Sequence, residues 1–151
     1  MTLEELRGLV GREIAVTQWL EITQERINKF ADATEDHQWI HIDRERAQRE
    51  SPYGATIAHG FLTLSLLPKF LHNAIDLSDL RMAINYGLNR VRFPSAVRAG
   101  SNIRARIILQ SIRDVPGPIE AAIEATYSIT IEIQGTEKPC CVAELLARYY
   151  R

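Results

Sequence analysis

The sequence predicts an α+β fold, an antiparallel sheet accompanied by one buried helix. Three observations carry this. The C-terminal half contains long runs in which apolar and polar residues alternate. A single stretch after residue 59 is apolar almost all round. The N-terminal half reads as helical or irregular.

Along the chain, Thr23 is placed to cap a helix running to about Ala33, with Glu25 in its first turn and Ile27, Phe30 and Ala31 on one face. Asp43 caps a short charged helix, Arg44 to Glu50. Ser51-Pro52-Tyr53-Gly54 then breaks the chain. From His59 the run HGFLTLSLLPKFLHNAI has the pattern of a helix buried on most sides. Pro68 lies inside it, removes a backbone donor, and should kink or split the helix there. Ile103, Ala105, Ile107 and Leu109 alternate with Arg104 and Arg106. Ile119, Ala121, Ile123, Ala125, Tyr127, Ile129, Ile131 and Ile133 alternate with Glu120, Glu124, Thr126, Ser128, Thr130 and Glu132. Period two over that length predicts a half-exposed antiparallel strand. Turns fall at Ala99-Gly100-Ser101-Asn102, Pro116-Gly117-Pro118 and Gln134-Gly135-Thr136.

A chain of 151 residues is one domain by prior, spanning 1–151, and is long enough for a real core. Hydrophobic and charged contents of 46% and 25% are those of an ordinary soluble globule. A formal net charge of -1 argues against nucleic acid as the main partner. The N-terminal MTLEELRGLVGREI carries acids and has no apolar centre, so no signal peptide is expected, and no apolar run reaches the length of a membrane span. Cys140 and Cys141 are adjacent; strand neighbours point to opposite faces, so a bridge between them would be strained and a reduced, cytoplasmic setting is expected.

Chemistry concentrates in ATEDHQWIHID, residues 33–43, where Asp36 precedes His41 by five positions, and in His59-Gly60 just beyond. A carboxylate can orient an imidazole and tune its proton affinity near neutral pH. Gly60, if it opens the buried helix, aims its backbone N–H with the helix dipole behind it at an anionic oxygen. Bland readings stand beside these. Asp36 can cap a turn with His41 a partly buried strand residue. Gly60 can serve tight packing. His59 can hold the loop by a hydrogen bond rather than touch substrate. Ser65 and Thr63 can line a ligand tunnel or back-bond to their own helix. Arg90, Arg92, Arg104 and Arg106 read as a solvated sheet face, with contact to ligand phosphates as the alternative. His37, His41 and Asp43 do not make a metal motif, since no HExxH pattern is present and the cysteines are remote. No metal is expected.

The segments Asp36-His37-Gln38-Trp39-Ile40-His41 and Ala58-His59-Gly60-Phe61 resemble the D-x-N-P-x-H and HG signatures of the MaoC-like dehydratases, the (R)-specific enoyl-CoA hydratases. FADATEDHQWIHID, TIAHGF and INYGLNRVRFP are more similar still to the NodN-like branch. The resemblance runs from about Trp19 to the C-terminus. It departs at Gln38-Trp39, which replaces Asn-Pro, so a water-orienting amide would sit on the longer arm of Gln38.

The resemblance implies a hot-dog fold, a curved antiparallel sheet wrapped around a long central helix, with a first strand at about Glu13 to Leu20. It implies that Asp36 and His41 hold a water that adds to C3 of a trans-2-enoyl thioester while a proton reaches C2 on the same face. Gly60 would bind the thioester oxygen, with Gln38, His59 and Ser65 around the substrate. No cofactor is implied; coenzyme A enters as the substrate's thioester, with acyl carrier protein as the alternative carrier. A single hot-dog unit exposes a sheet edge, so a homodimer or higher homo-oligomer is expected, and in the family each active site lies where two units meet. The competing readings are a hot-dog acyl-CoA thioesterase and a non-catalytic acyl-thioester-binding module. Against the first, Gly60 to Ala74 contains no acid to activate water on the central helix.

Overall fold

The computed structural model describes residues 1–117 and 121–151. The elements run α1 (Leu3–Arg7), β1 (Glu13–Val16), β2 (Leu20–Glu21), α2 (Gln24–Thr34), α3 (Trp39–Ile42), α4 (Arg44–Glu50), α5 (Gly60–Ser65), α6 (Leu67–Ala74), β3 (Met82–Arg92), β4 (Asn102–Val115), β5 (Ala122–Ile133) and β6 (Cys141–Tyr150). The strands form one antiparallel sheet in the order β1-β4-β5-β6-β3, with β2 also pairing on β4. This is the hot-dog arrangement, α+β as predicted.

Alternation decides which face is dry. Ile103, Ala105, Ile107 and Leu109 of β4 are fully buried, as are Tyr127 and Ile131 of β5, with Ile129 almost so. Antiparallel pairing sets Ile107 opposite Ile129 and Leu109 opposite Tyr127, so the apolar positions of both strands share one face. Leu62, Leu66, Leu67, Phe70 and Leu71 of the two central helices belong to the same core. Each such side chain contributes about 1.5–3 kcal/mol on burial.

Thr23 caps α2 by accepting from Arg26 N–H, and Asp43 caps α4 by accepting from Arg46 N–H, both as predicted. The central helix is split as expected, at Leu66 rather than at Pro68 itself; three other expectations need correction. Pro68 takes the first turn of α6, where its missing N–H costs nothing. The run is not buried on most sides within one chain: Phe61 is 70% exposed, and Ser65, Lys69, His72 and Asn73 also face outward. The first strand is broken between β1 and β2, because the Thr17 hydroxyl and amide take over the bonds to Ala105 and Trp19 lies flat under the Arg104 guanidinium, 4.4 Å away. Glu124, expected on the solvent side of β5, is only 2% exposed. Arg113 and Arg148 donate to its carboxylate at 2.6–3.0 Å. Burial alone would raise its pKa, but the two arginines together hold it below the usual carboxylate value. Ile119 and Glu120 of the predicted strand, and Pro118 of the turn before it, lie outside the described residues.

Both thiols are free and buried; Cys140 lies ahead of β6 rather than on it. Burial pushes Cys140 up to about 12 and Cys141 up to about 11, which keeps both as inert thiols at neutral pH. Among the described residues β3 pairs only with β6, leaving its other edge open and Met82, Ile84, Tyr86 and Leu88 exposed. Among the described residues no helix is long and apolar enough to cross a membrane.

Candidate active site

The site is built where α2 ends. Glu35 stops the helix in the left-handed region (φ 59°), a conformation that costs a non-glycine residue about 1–2 kcal/mol. The chain turns there, Asp36 to Gln38 lead out, and α3 presents His41. The Asp36 carboxylate is 55% exposed and accepts from Gln38 N–H at 3.4 Å. His41 is buried, its Nδ1 2.7 Å from the Ile57 carbonyl. A carbonyl can only accept, so Nδ1 carries the proton and the neutral ring keeps its Nε2 lone pair for other work.

His59 completes the cluster. Its Nε2–H donates to the Asp36 backbone carbonyl at 2.9 Å and lies 3.9 Å from the carboxylate. Its ring stacks on His41, centroids 3.8 Å apart and planes 22° from parallel, with Phe30 tilted against its edge at 4.9 Å. His59 is 3% exposed, and its Nδ1 has no hydrogen-bond partner among the described residues. Burial lowers the pKa of His41 from its ordinary 6.5, and the neighbouring His59 adds to this. The Ile57 hydrogen bond and the Asp36 charge act in the opposite sense without overcoming it. His41 is therefore neutral at pH 7, in the form that accepts a proton.

One donor atom from each of Asp36, His41 and His59 lies within 4.8 Å of the others. In this cluster the His41 Nδ1 is held by the Ile57 carbonyl and the His59 Nε2 by the Asp36 carbonyl, which leaves each ring one nitrogen for a ligand. The other trio weighed from sequence does not assemble. His37 turns to Asp32 at 2.9 Å and Asp43 is occupied as a helix cap.

Gly60 opens α5, with His59 as the capping position. Its amide belongs to the first turn, where backbone donors have no intrahelical partner. The helix behind it is only six residues long, so the dipole is smaller than a continuous helix would supply. A Cβ built on Gly60 would lie 3.1 Å from the Phe93 ring. Gly60, Ile57, Thr63, Tyr53 and Phe93 line a cavity of about 280 Å³. Ile57, whose carbonyl holds His41, lines this cavity, whereas Asp36, His41 and His59 do not.

The remaining sequence-predicted residues fall differently. Gln38 starts α3 but makes no side-chain cap; its carbonyl accepts His41 N–H at 3.0 Å. Trp39, in the position of the expected proline, stacks under Arg46 at 4.3 Å. Ser65 does not join the cluster: its hydroxyl donates to the Leu62 carbonyl at 2.7 Å, and it borders a separate apolar cavity of about 370 Å³ with Leu64, Leu67, Gly87 and Leu88. Arg104 and Arg106 are not free cations; both bond Glu132, and Arg106 also bonds Glu13. Sequence reasoning missed Gln24, Thr56, Ile57 and Phe93. None has a local signature, because each meets the site through the fold.

Comparison with known proteins gives the family. The MaoC like domain matches residues 6–130. The chain belongs to the MaoC-like domain family. This MaoC-like chain is 47% identical over 148 residues to 3-hydroxyacyl-thioester dehydratase Z of Mycobacterium tuberculosis, covering 98% of this chain and 95% of that protein. It is 43% identical over 148 residues to nodulation protein N of Rhizobium meliloti, covering 97% and 90% respectively. Among solved structures, the monoamine oxidase regulatory protein from Archaeoglobus fulgius superposes with a TM-score of 0.77 at 25% identity, over 94% of this MaoC-like chain and 90% of that one.

Proposed function

We propose that this chain is a 3-hydroxyacyl-thioester dehydratase, a hydro-lyase that in reverse is an (R)-specific enoyl-CoA hydratase. It acts as a single hot-dog domain, with Asp36 and His41 as its proton-transfer pair. The observation that carries the reading is the fixed orientation of His41. Nδ1–H is committed to Ile57, Nε2 is free, and the Asp36 carboxylate lies close by. A water bridging two groups spans about 4.5 Å, from two legs of about 2.8 Å at a tetrahedral angle. Donor atoms of Asp36 and His41 lie no more than 4.8 Å apart, within reach of one such water.

In hydration, the pair takes a proton from the water as its oxygen bonds to C3. The π electrons of the C2–C3 bond shift through C2 to the thioester oxygen. The Gly60 N–H meets the charge that develops there, a contact that strengthens toward the transition state. The proton then returns to C2. Because water and proton come from one cluster, both add to one face. Dehydration is the same path reversed, and no cofactor enters. His59 acts by holding the Asp36 main chain and backing the His41 ring. Gln38 shapes the approach to α3.

The substrate is an acyl thioester of coenzyme A or acyl carrier protein. The working unit is a homodimer joined along β3, whose open edge carries Ile84, Tyr86 and Leu88. The reading places the protein in the cytoplasm. The thioesterase alternative lacks the acid it would need on α5 or α6.

Crotonyl-CoA tests the proposal. The enoyl-thioester absorbance should fall without release of free thiol. Thiol release would indicate a hydrolase, and no change in either signal a binding module. Asp36→Asn and His41→Ala should each lower turnover by about 10²–10⁴-fold in a folded dimer; near wild-type turnover in either would overturn the assignment of the pair.

A further inference from the structure

A four-residue helix cannot hold a reacting group in place unaided. Helix nucleation is unfavourable, and α3 supplies few bonds of its own. The placement of His41 must come from elsewhere. Its ring is tied to the Ile57 carbonyl, while its own main-chain carbonyl accepts from the Gln24 side-chain amide at 2.7 Å. Gln24 reaches the same loop from the other side: its Oε1 accepts from the hydroxyl of Thr56, the residue before Ile57.

Thr56 is 2% exposed, so one end of this bridge is buried, while Gln24 is half-buried. The amide cannot turn over. The Thr56 hydroxyl donates to its oxygen, and the His41 and Asn28 oxygens accept from its nitrogen, Asn28 at 2.9 Å. The loop is itself anchored. Ala99 N–H bonds the Thr56 carbonyl at 2.9 Å, Ala58 N–H bonds the Val97 carbonyl at 2.7 Å, and Ile57 N–H returns to the Ile40 carbonyl at 3.0 Å.

We infer that Gln24 and Thr56 form a positioning strut for His41, locking the helix that carries the imidazole to the loop that selects its tautomer. This rests on the reading of His41 as a proton-transfer residue. Neither strut residue is assigned contact with substrate. Removing the strut leaves α3 tied to the loop through Ile57, by its N–H to Ile40 and its carbonyl to the imidazole, so the helix can pivot there, and a displacement of about 1 Å at a reacting group can cost about 10²-fold in rate.

The test compares Gln24→Met and Thr56→Val, which keep side-chain volume, with Thr56→Ser, which keeps the hydroxyl, and with His41→Ala as reference. Turnover of crotonyl-CoA should fall about 10–100-fold in the first two with KM nearly unchanged, since what is lost is geometry at the reacting atoms. Thr56→Ser should recover most of the loss. The double variant should be no worse than either single one, because both break the same link. Nitrogen-15 NMR of the His41 ring gives a readout independent of turnover. The protected Nδ1–H of the wild type should exchange faster in Gln24→Met and Thr56→Val. A merely structural role would lower the melting temperature and leave both kcat and the ring signature as they were, overturning the strut. Additive losses in the double variant would also overturn it, since the residues would then act separately. If His41→Ala abolishes turnover while Gln24→Met and Thr56→Val retain it, the strut is wrong and the functional reading stands. If His41→Ala itself retains turnover, both fall.

Discussion

Gly60→Val separates two effects that the structure places at one position. A Cβ on Gly60 meets Phe93 Cδ2 at 3.1 Å, inside the ordinary carbon–carbon contact of about 3.5–4.0 Å, and valine adds two further carbons. Phe93 is partly exposed and touches Phe61 only edge-on, centroids 6.2 Å apart, so its ring can swing away. Crowding against Phe93 is thus relieved by moving one side chain. Crowding of a thioester oxygen against the Gly60 N–H is not, because that contact needs the backbone itself to be approached. Loss of one oxyanion donor lowers turnover by roughly 10²-fold, which corresponds to about 2.7 kcal/mol in the barrier. Gly60→Val should show a loss of that size in crotonyl-CoA hydration, with a smaller effect on KM. Gly60→Val/Phe93→Ala should keep the loss when compared with Phe93→Ala alone. Circular dichroism and sedimentation establish first that each variant is a folded dimer. Recovery of turnover in the double variant would refute the reasoning: the penalty would then belong to packing against Phe93, and the thioester oxygen would be bound elsewhere.

The depressed pKa of His41 sets the acid limb of kcat/KM for hydration below pH 6.5, and a limb at or above that value would contradict a buried neutral base. The same shift carries a sign for stability. Its contribution is fully present above the unfolded value of 6.5 and declines as pH falls below it, so His41→Ala should flatten the acid side of the stability–pH curve measured by denaturant titration. Tyr127 and Tyr149 share a buried hydroxyl–hydroxyl bond of 2.7 Å. Tyr127→Phe should cost about 1–3 kcal/mol by orphaning the partner, while Tyr127→Phe/Tyr149→Phe should recover much of it; a double variant worse than the sum would reject that account. Ile84→Lys on the open edge of β3 should convert the dimer to monomer in sedimentation and remove activity with it, whereas an unchanged dimer would locate the interface elsewhere.

The sequence by itself determined what depends on near neighbours. Period-two alternation placed the buried face of β4 and that of β5 from Ala125 onward; ahead of it the phase slips, with Ala122 and Glu124 buried and Ala121 exposed. Thr23 and Asp43 announced two helix starts through bonds three residues long. Pro68 announced a break in the central run, because a proline is tolerated in the first turn of a helix and not in its interior. Asp36, His41 and His59-Gly60 were legible as candidates from their text, and the fold brings Asp36, His41 and His59 together. Other features were decided only in three dimensions. Alternation assigned Glu124 to the polar face of β5, but burial there depends on Arg113 and Arg148 arriving from two other strands. Ser65 shares a helix with Gly60 yet borders a different cavity, because the rotation of a side chain about the helix sends it toward β3. The bonds that orient the site join Gln24 to His41, His41 to Ile57, His59 to Asp36 and Thr56 to Gln24, at separations of 17, 16, 23 and 32 residues. A local pattern records propensity over a turn or a strand pair, whereas these partners meet only after the sheet and its core have closed. The candidate site residues could thus be read along the chain, and the long-range bonds that orient them could not.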